Sequence, residues 1–121
     1  MIVSESKKEN YCTEISNKNA FIIADTTGKY FAPHDLLCAG FASCLNITTR
    51  MVLDRKNIKY EKVIVKVDLD KSDESKTKFL YSVDILGDIT DETKQHILDI
   101  VKNCPVRKTL SREIEFKPVD F

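Results

Sequence analysis

The side chains with the most chemistry to offer are four cysteines, at positions 12, 38, 44 and 104. Two of them stand in distinctive surroundings. Cys44 lies in FASCLNITT and Cys104 in NCPVRKTL, each beside small or apolar residues. Neither has the paired spacing of a zinc knuckle. An isolated thiol either packs as a small hydrophobe or, as the thiolate, attacks and exchanges. Both readings stand for Cys44. At helical spacing its neighbours are residues 37, 41, 48 and 51, apolar except for Thr48. A thiol in mid-helix reacts only if a cation or hydrogen-bond donors reach it from elsewhere. Cys104 precedes a proline suited to the first position of a helix. It would then cap the short helix PVRKTLS, where backbone N–H groups, the helix dipole and nearby Arg107 and Lys108 all lower a thiol pKa. It reads equally well as the last apolar residue of the preceding helix.

The remaining candidates are plainer. Cys38 lies six residues before Cys44, so on one helix their side chains point roughly 120° apart, and Cys12 falls in a strand-like stretch. Both read as structural. His34 and Cys38 have i, i+4 spacing but no third ligand, so neither a metal nor a cofactor is expected. His34 and Asp35 stand at the start of the helix that carries Cys44. Asp35 is a cap or first-turn acid, and the pair could also orient a cation that serves Cys44. His96 reads as a surface residue.

These side chains need a scaffold. Tyr11–Ile15 and Phe21–Ala24 are candidate strands, joined by the polar turn Ser16–Asn19, and DTTGK at 25–29 is another turn. Leu37, Phe41, Leu45, Thr48 and Val52 then recur at helical spacing. The pattern predicts a helix from about Asp35 to about Lys56, stopped at Asn57. Ala39, Gly40, Ala42 and Ser43 would let another backbone approach it closely. Val63, Val65, Val67 and Leu69 alternate with Ile64, Lys66, Asp68 and Asp70, and Phe79, Tyr81, Val83 and Ile85 repeat that period beyond the charged turn KSDESKTK. This is a hairpin covered on one face, with the long helix as its cover. Gly87 ends it. Thr90 is an N-cap, followed by Asp91 and Glu92 in the first turn. Ile97, Ile100, Val101 and Cys104 form the apolar side of a second helix. Ile114 and Phe116 predict a last short strand. The fold class is α+β, and the expectation is one domain over residues 1–121.

Bulk properties narrow the function. Nineteen basic residues balance nineteen acidic ones among 121, so bulk charge draws the chain to neither nucleic acid nor membrane. Neutrality offers little protection against self-association. The start MIVSESKKENY has no signal-like apolar run, and no stretch is read as approaching the roughly 20 apolar residues of a membrane span. A cytoplasmic location, with reduced cysteines, is the expectation.

PHDLLCAGFASCLNITTRMVLDRKNIKYEKVIVKV followed by NCPVRKTL resembles the osmotically inducible / organic hydroperoxide resistance (OsmC/Ohr) family, over roughly residues 20 to 117. The carrying elements are P-x-acid-L-L leading into a small-residue helix with a cysteine, and the later C-P-V-x-basic-T-L. The resemblance implies an intertwined α+β homodimer with the long helix at its centre. It implies reduction of organic hydroperoxides by two cysteines, with Cys44 attacking, Cys104 resolving and an external dithiol as reductant. The glutamate that enzymes of the family carry ten residues before the attacking cysteine is His34 here, with Asp35 beside it. The family's N-terminal arginine has no counterpart before Arg50, which leaves lysines such as Lys18 and Lys29. The alternative is a non-catalytic relative that binds a small apolar or thiol-reactive ligand, or acts as a redox sensor.

Overall fold

The computed structural model describes residues 1–121, which divide into two compact units, Met1–Ala39 and Gly40–Phe121. The first unit is built on three antiparallel strands in the order β1 (Val3–Ser6), β2 (Thr13–Ser16), β3 (Phe21–Ala24). Strand β1 escapes the sequence reading because VSES has no apolar alternation and every residue in it is exposed. The strand expected from Tyr11 begins instead at Thr13, because Asn10 and Tyr11 both take positive φ, of 55° and 54°, and form the turn that precedes it. The β2–β3 turn is fixed by Asn17, whose Oδ1 accepts from the N–H of Asn19 (2.8 Å) and of Ala20 (2.9 Å).

Beyond β3 the chain turns around Asp25, a buried carboxylate. It accepts from the hydroxyl of Thr27 and from the N–H groups of Thr27 and Tyr30. These bonds, the Thr27 hydroxyl foremost, hold its pKa below the usual carboxylate value against the opposing effect of burial.

Helix α1 (Pro33–Arg55) begins in the first unit and ends in the second. Proline at its first position explains the start two residues earlier than the apolar pattern gave. Its end is a Schellman motif. Asn57 takes φ 55°, the Ile58 N–H reaches the Leu53 carbonyl at 3.0 Å, and the Asn57 N–H reaches that of Asp54 at 3.1 Å. By length and composition α1 would also pass for a membrane span, which corrects the reading that no stretch comes close. In the second unit it serves instead as the core helix.

There α1 packs on a hairpin of β4 (Lys62–Asp70) and β5 (Lys78–Leu86). The register pairs Val63 with Ile85, Val65 with Val83, Val67 with Tyr81 and Leu69 with Phe79, which puts these apolar side chains on one face. The buried residues of α1 are Phe41, Leu45, Thr49 and Leu53. This is a pure i, i+4 row, slightly rotated from the predicted stripe, and Leu37 is exposed. Thr49 satisfies its hydroxyl by donating to the Leu45 carbonyl (2.7 Å), and Asn46 ties α1 to β4 through the Val63 carbonyl (3.0 Å).

Gly87 (φ 144°) closes the hairpin where a Cβ would meet Tyr60 Cα at 3.1 Å. Helix α2 (Asp91–Val101) follows, with the Thr90 hydroxyl accepting from the Thr93 N–H at 3.1 Å. Ile97 and Val101 enter the core, whereas Ile100, expected beside them, is exposed. Helix α3 (Pro105–Leu110) is the last element. The predicted strand at Ile114 and Phe116 does not form. Both residues are exposed, and no strand pairs with that segment.

Candidate functional site

The two distinctive cysteines sit on different elements of the second unit. Cys44 is near the middle of α1, half-buried, one turn after the core residue Phe41. Cys104 falls in the corner between α2 and α3 and is 1% exposed. It takes the N-cap position of α3, with Pro105 at the first helical position, but its side chain makes no cap hydrogen bond and packs in the apolar cluster, so each of the two readings holds in part.

The structure brings these thiols together. Both belong to one apolar cluster with Phe41, Leu45, Ile97 and Val101. The side chain of Cys44 acts on that of Cys104 by hydrogen bonding and by charge. Cys12, Cys44 and Cys104 are all thiols.

The electrostatics of Cys104 run opposite to the sequence expectation. Its pKa is raised. Burial is the main cause, since a thiolate in an apolar cluster loses its hydration. The N–H groups of Arg107 and Val106 pull the other way, but no cap hydrogen bond to the sulfur forms. Cys44 adds to the rise, first through a side-chain hydrogen bond that favours the protonated sulfur and then through charge, because an anion on one sulfur discourages an anion on the other. The Arg107 guanidinium is engaged elsewhere. Its Nη1 donates to the Lys102 carbonyl at 2.8 Å and lies 3.3 Å from the Tyr81 hydroxyl. Lys108 is exposed. Two charges adjacent in sequence therefore do not translate into two charges on the thiol.

His34 and Asp35 belong to the first unit and occupy the first turn of α1. Asp35 is the cap-like acid expected. Its Oδ2 accepts from the Ala32 N–H at 2.8 Å, half of a capping box. His34 is exposed. Lys29, a candidate cation for the thiols, places its ammonium 5.2 Å from the centroid of the Tyr30 ring. Cys12 and Cys38 are half-buried, and no group of three or more His, Cys, Asp or Glu side chains could hold a metal. Gly40 leaves open the close approach expected of it. Within the chain a Cβ there would meet nothing, so no backbone of this chain packs against it.

Sequence reasoning passed over Tyr81 and Phe41 as site residues. The Phe41 ring meets the Tyr81 ring edge-on at 5.4 Å and the Phe79 ring at 5.7 Å. Phe41 belongs to the apolar cluster against which Cys44 and Phe79 also pack. The only sequence signal of Phe41 and Tyr81 was their place on the inner faces of helix and hairpin.

Comparison with known proteins bears on this arrangement. The sequence pattern of the OsmC-like protein family matches residues 26–119. No curated protein matches the chain. Among solved structures, an OsmC-like protein from Mycoplasma pneumoniae superposes with TM-score 0.77 at 21% identity, covering 91% of this chain and 85% of that one. The organic hydroperoxide resistance protein OhrB of Bacillus subtilis gives 0.63 at 18% identity, with 92% and 90% covered. An organic hydroperoxide resistance protein from Elizabethkingia anophelis gives 0.65 at 19%, with 95% and 91% covered.

Proposed function

The chain belongs to the OsmC-like protein family, and from that premise we propose that it is a thiol-dependent reductase of organic hydroperoxides. The observation that carries this reading is the meeting of Cys44 and Cys104, far apart in sequence, in one apolar cluster. The Cys44 thiolate attacks the outer peroxide oxygen, the O–O bond breaks, and the organic fragment leaves as an alcohol after taking a proton. Cys44 is then a sulfenic acid. The sulfur of Cys104 displaces its hydroxyl as water and the disulfide forms. An external dithiol restores both thiols and becomes a disulfide itself.

The half-buried position of Cys44 suits the attacking role, and the buried, raised-pKa Cys104 suits the resolving one. A sulfur kept largely as the thiol does not compete for the peroxide. The apolar cluster favours an organic peroxide over hydrogen peroxide.

The assembly we infer is a homodimer, cytoplasmic, with residues 1–121 working as one domain. Helix α1 leaves Leu37, Ile47 and Met51 about half exposed, at 49%, 49% and 48%. Together with the open surface at Gly40 this is a face suited to a second copy.

The test is steady-state consumption of cumene hydroperoxide and of hydrogen peroxide with a dithiol, for wild type, Cys44→Ser and Cys104→Ser. Turnover that prefers the organic peroxide and vanishes in Cys44→Ser is expected. A single stoichiometric oxidation without turnover overturns the enzyme and supports a redox sensor. That second reading draws on the absence of any arginine before Arg50.

A further inference from the structure

Cys104 has to meet Cys44 from a short corner, Lys102–Asn103–Cys104, between α2 and a helix of only six residues. A six-residue helix has little stability of its own, so something must hold that corner against α1. One side chain spans the gap. Arg107 Nη1 donates to the carbonyl of Lys102, the C-cap of α2, at 2.8 Å. The same nitrogen reaches the hydroxyl of Tyr81 on β5 at 3.3 Å. The Tyr81 ring in turn lies edge-on against Phe41 at 5.4 Å, and Phe41 is one helical turn before Cys44. A continuous run of contacts thus joins the corner that carries Cys104 to the helix that carries Cys44.

We propose that Arg107 is the positioning residue of the thiol pair, clamping the α2–α3 corner to Tyr81 so that Cys104 stays seated against Cys44. Arginine suits the task. A helix C-terminus carries partial negative charge and unsatisfied carbonyls, which a cation stabilises. The planar guanidinium presents several donors in a fixed fork and stays charged at every physiological pH. The charge is spent on the scaffold rather than on the sulfur, in keeping with where the guanidinium points.

The inference rests on the two-thiol reading, and its test separates the two. In a Cys12→Ser, Cys38→Ser background the protein is equilibrated in glutathione redox buffers and the disulfide fraction is measured by trapping and mass. In this exchange Cys44 and Cys104 together give up two electrons and two protons, and one oxidised glutathione becomes two glutathione thiols. The fraction oxidised gives the effective concentration of one thiol toward the other. Arg107→Met, which keeps the length and loses the donors, is expected to lower it by about tenfold. Arg107→Lys, which can still reach the Lys102 carbonyl, recovers part of that loss. Tyr81→Phe, which keeps the ring on Phe41, lowers it by about threefold.

A clamp that is merely structural lowers the melting temperature and leaves the effective concentration within twofold of wild type, and that result overturns the inference alone. If Arg107→Met does not fold, Arg107→Lys and Tyr81→Phe decide by the same measure. A wild type that forms no Cys44–Cys104 disulfide overturns the two-thiol reading, and this inference with it.

Discussion

The two units of the chain are stabilised in different ways. The second unit, Gly40–Phe121, holds an apolar cluster drawn from α1, the hairpin, α2 and Cys104. In the first unit, Met1–Ala39, the buried residues are Ala24 and Asp25, while Phe21, Ile22, Tyr30 and Phe31 stay substantially exposed. One is organised by packing, the other by strand pairing and by a turn around a buried carboxylate. Both sulfurs of the proposed chemistry lie in the packed unit. Two thiols must be held to a fraction of an ångström to react with each other, and close packing supplies that constraint where polar turns do not.

The sharpest way to break this contrast is to remove a core side chain. Leu45 is fully buried, and Leu45→Ala is expected to cost about 3 kcal/mol through lost burial and the cavity left behind. Phe21→Ala, at a residue 63% exposed, is expected to change the stability of the monomer by less than about 0.5 kcal/mol. Denaturant midpoints for the two variants check the pair, and comparable losses would show that the first unit has a packed core of its own.

The two positive-φ glycines sharpen the same comparison at smaller amplitude. Gly87, in the packed unit, combines φ 144° with backbone atoms 3.1 and 3.2 Å from an added Cβ. Gly28, in the other, has φ 86° and nothing within 4 Å. Gly87→Ala is expected to cost about 2 to 3 kcal/mol, from strain plus collision. Gly28→Ala should cost only about 1 kcal/mol, from φ alone. Thermal unfolding of both variants gives the ranking, and equal losses would remove the difference in packing as its cause.

The smallest expected effect is a difference in pH response. Asp25 has a lowered pKa in the fold, so near the ordinary carboxylate value the unfolded chain binds more protons. Its contribution is full above that value, about 4, and is lost as pH falls through the folded value. Cys104 has a raised pKa, so above the ordinary thiol value the folded chain binds more protons. Its contribution is full below about 8.5 and is lost as pH rises toward the folded value. Amide exchange should therefore show β2 and β3 loosening first in acid and the α2–α3 corner first in alkali. Cys104→Ser should remove the alkaline slope, and a slope that persists would assign it to another group.

How much of this was legible in the sequence follows from what periodicity can carry. Period two in 63–69 and 79–85 gave the hairpin and its apolar face, and Thr90 and Asn57 marked helix ends through local chemistry. Strand β1 was not legible because Val3–Ser6 pairs through its backbone alone. Ile114 and Phe116 alternate like a strand, yet alternation does not supply the partner strand that a sheet requires. The nearness of Cys44 and Cys104 is a tertiary fact that no local pattern contains, and the expectation of it came from family resemblance. The direction of the Cys104 pKa was misread for a related reason. Proximity in sequence counted Arg107 and Lys108 as charges on the thiol, whereas the fold buries the sulfur and turns the guanidinium to Lys102 and Tyr81.

The central claim is that peroxide oxidises Cys44 and that Cys104 resolves it. The most direct measurement is the mass of the protein and its peptides after a stoichiometric dose of cumene hydroperoxide, with a sulfenic-acid trap present. Wild type should lose two hydrogens and yield one peptide pair joined through Cys44 and Cys104, while Cys104→Ser should carry the trap on Cys44. A wild type that stays unmodified, or that takes the oxidation at Cys12 or Cys38, would contradict the account.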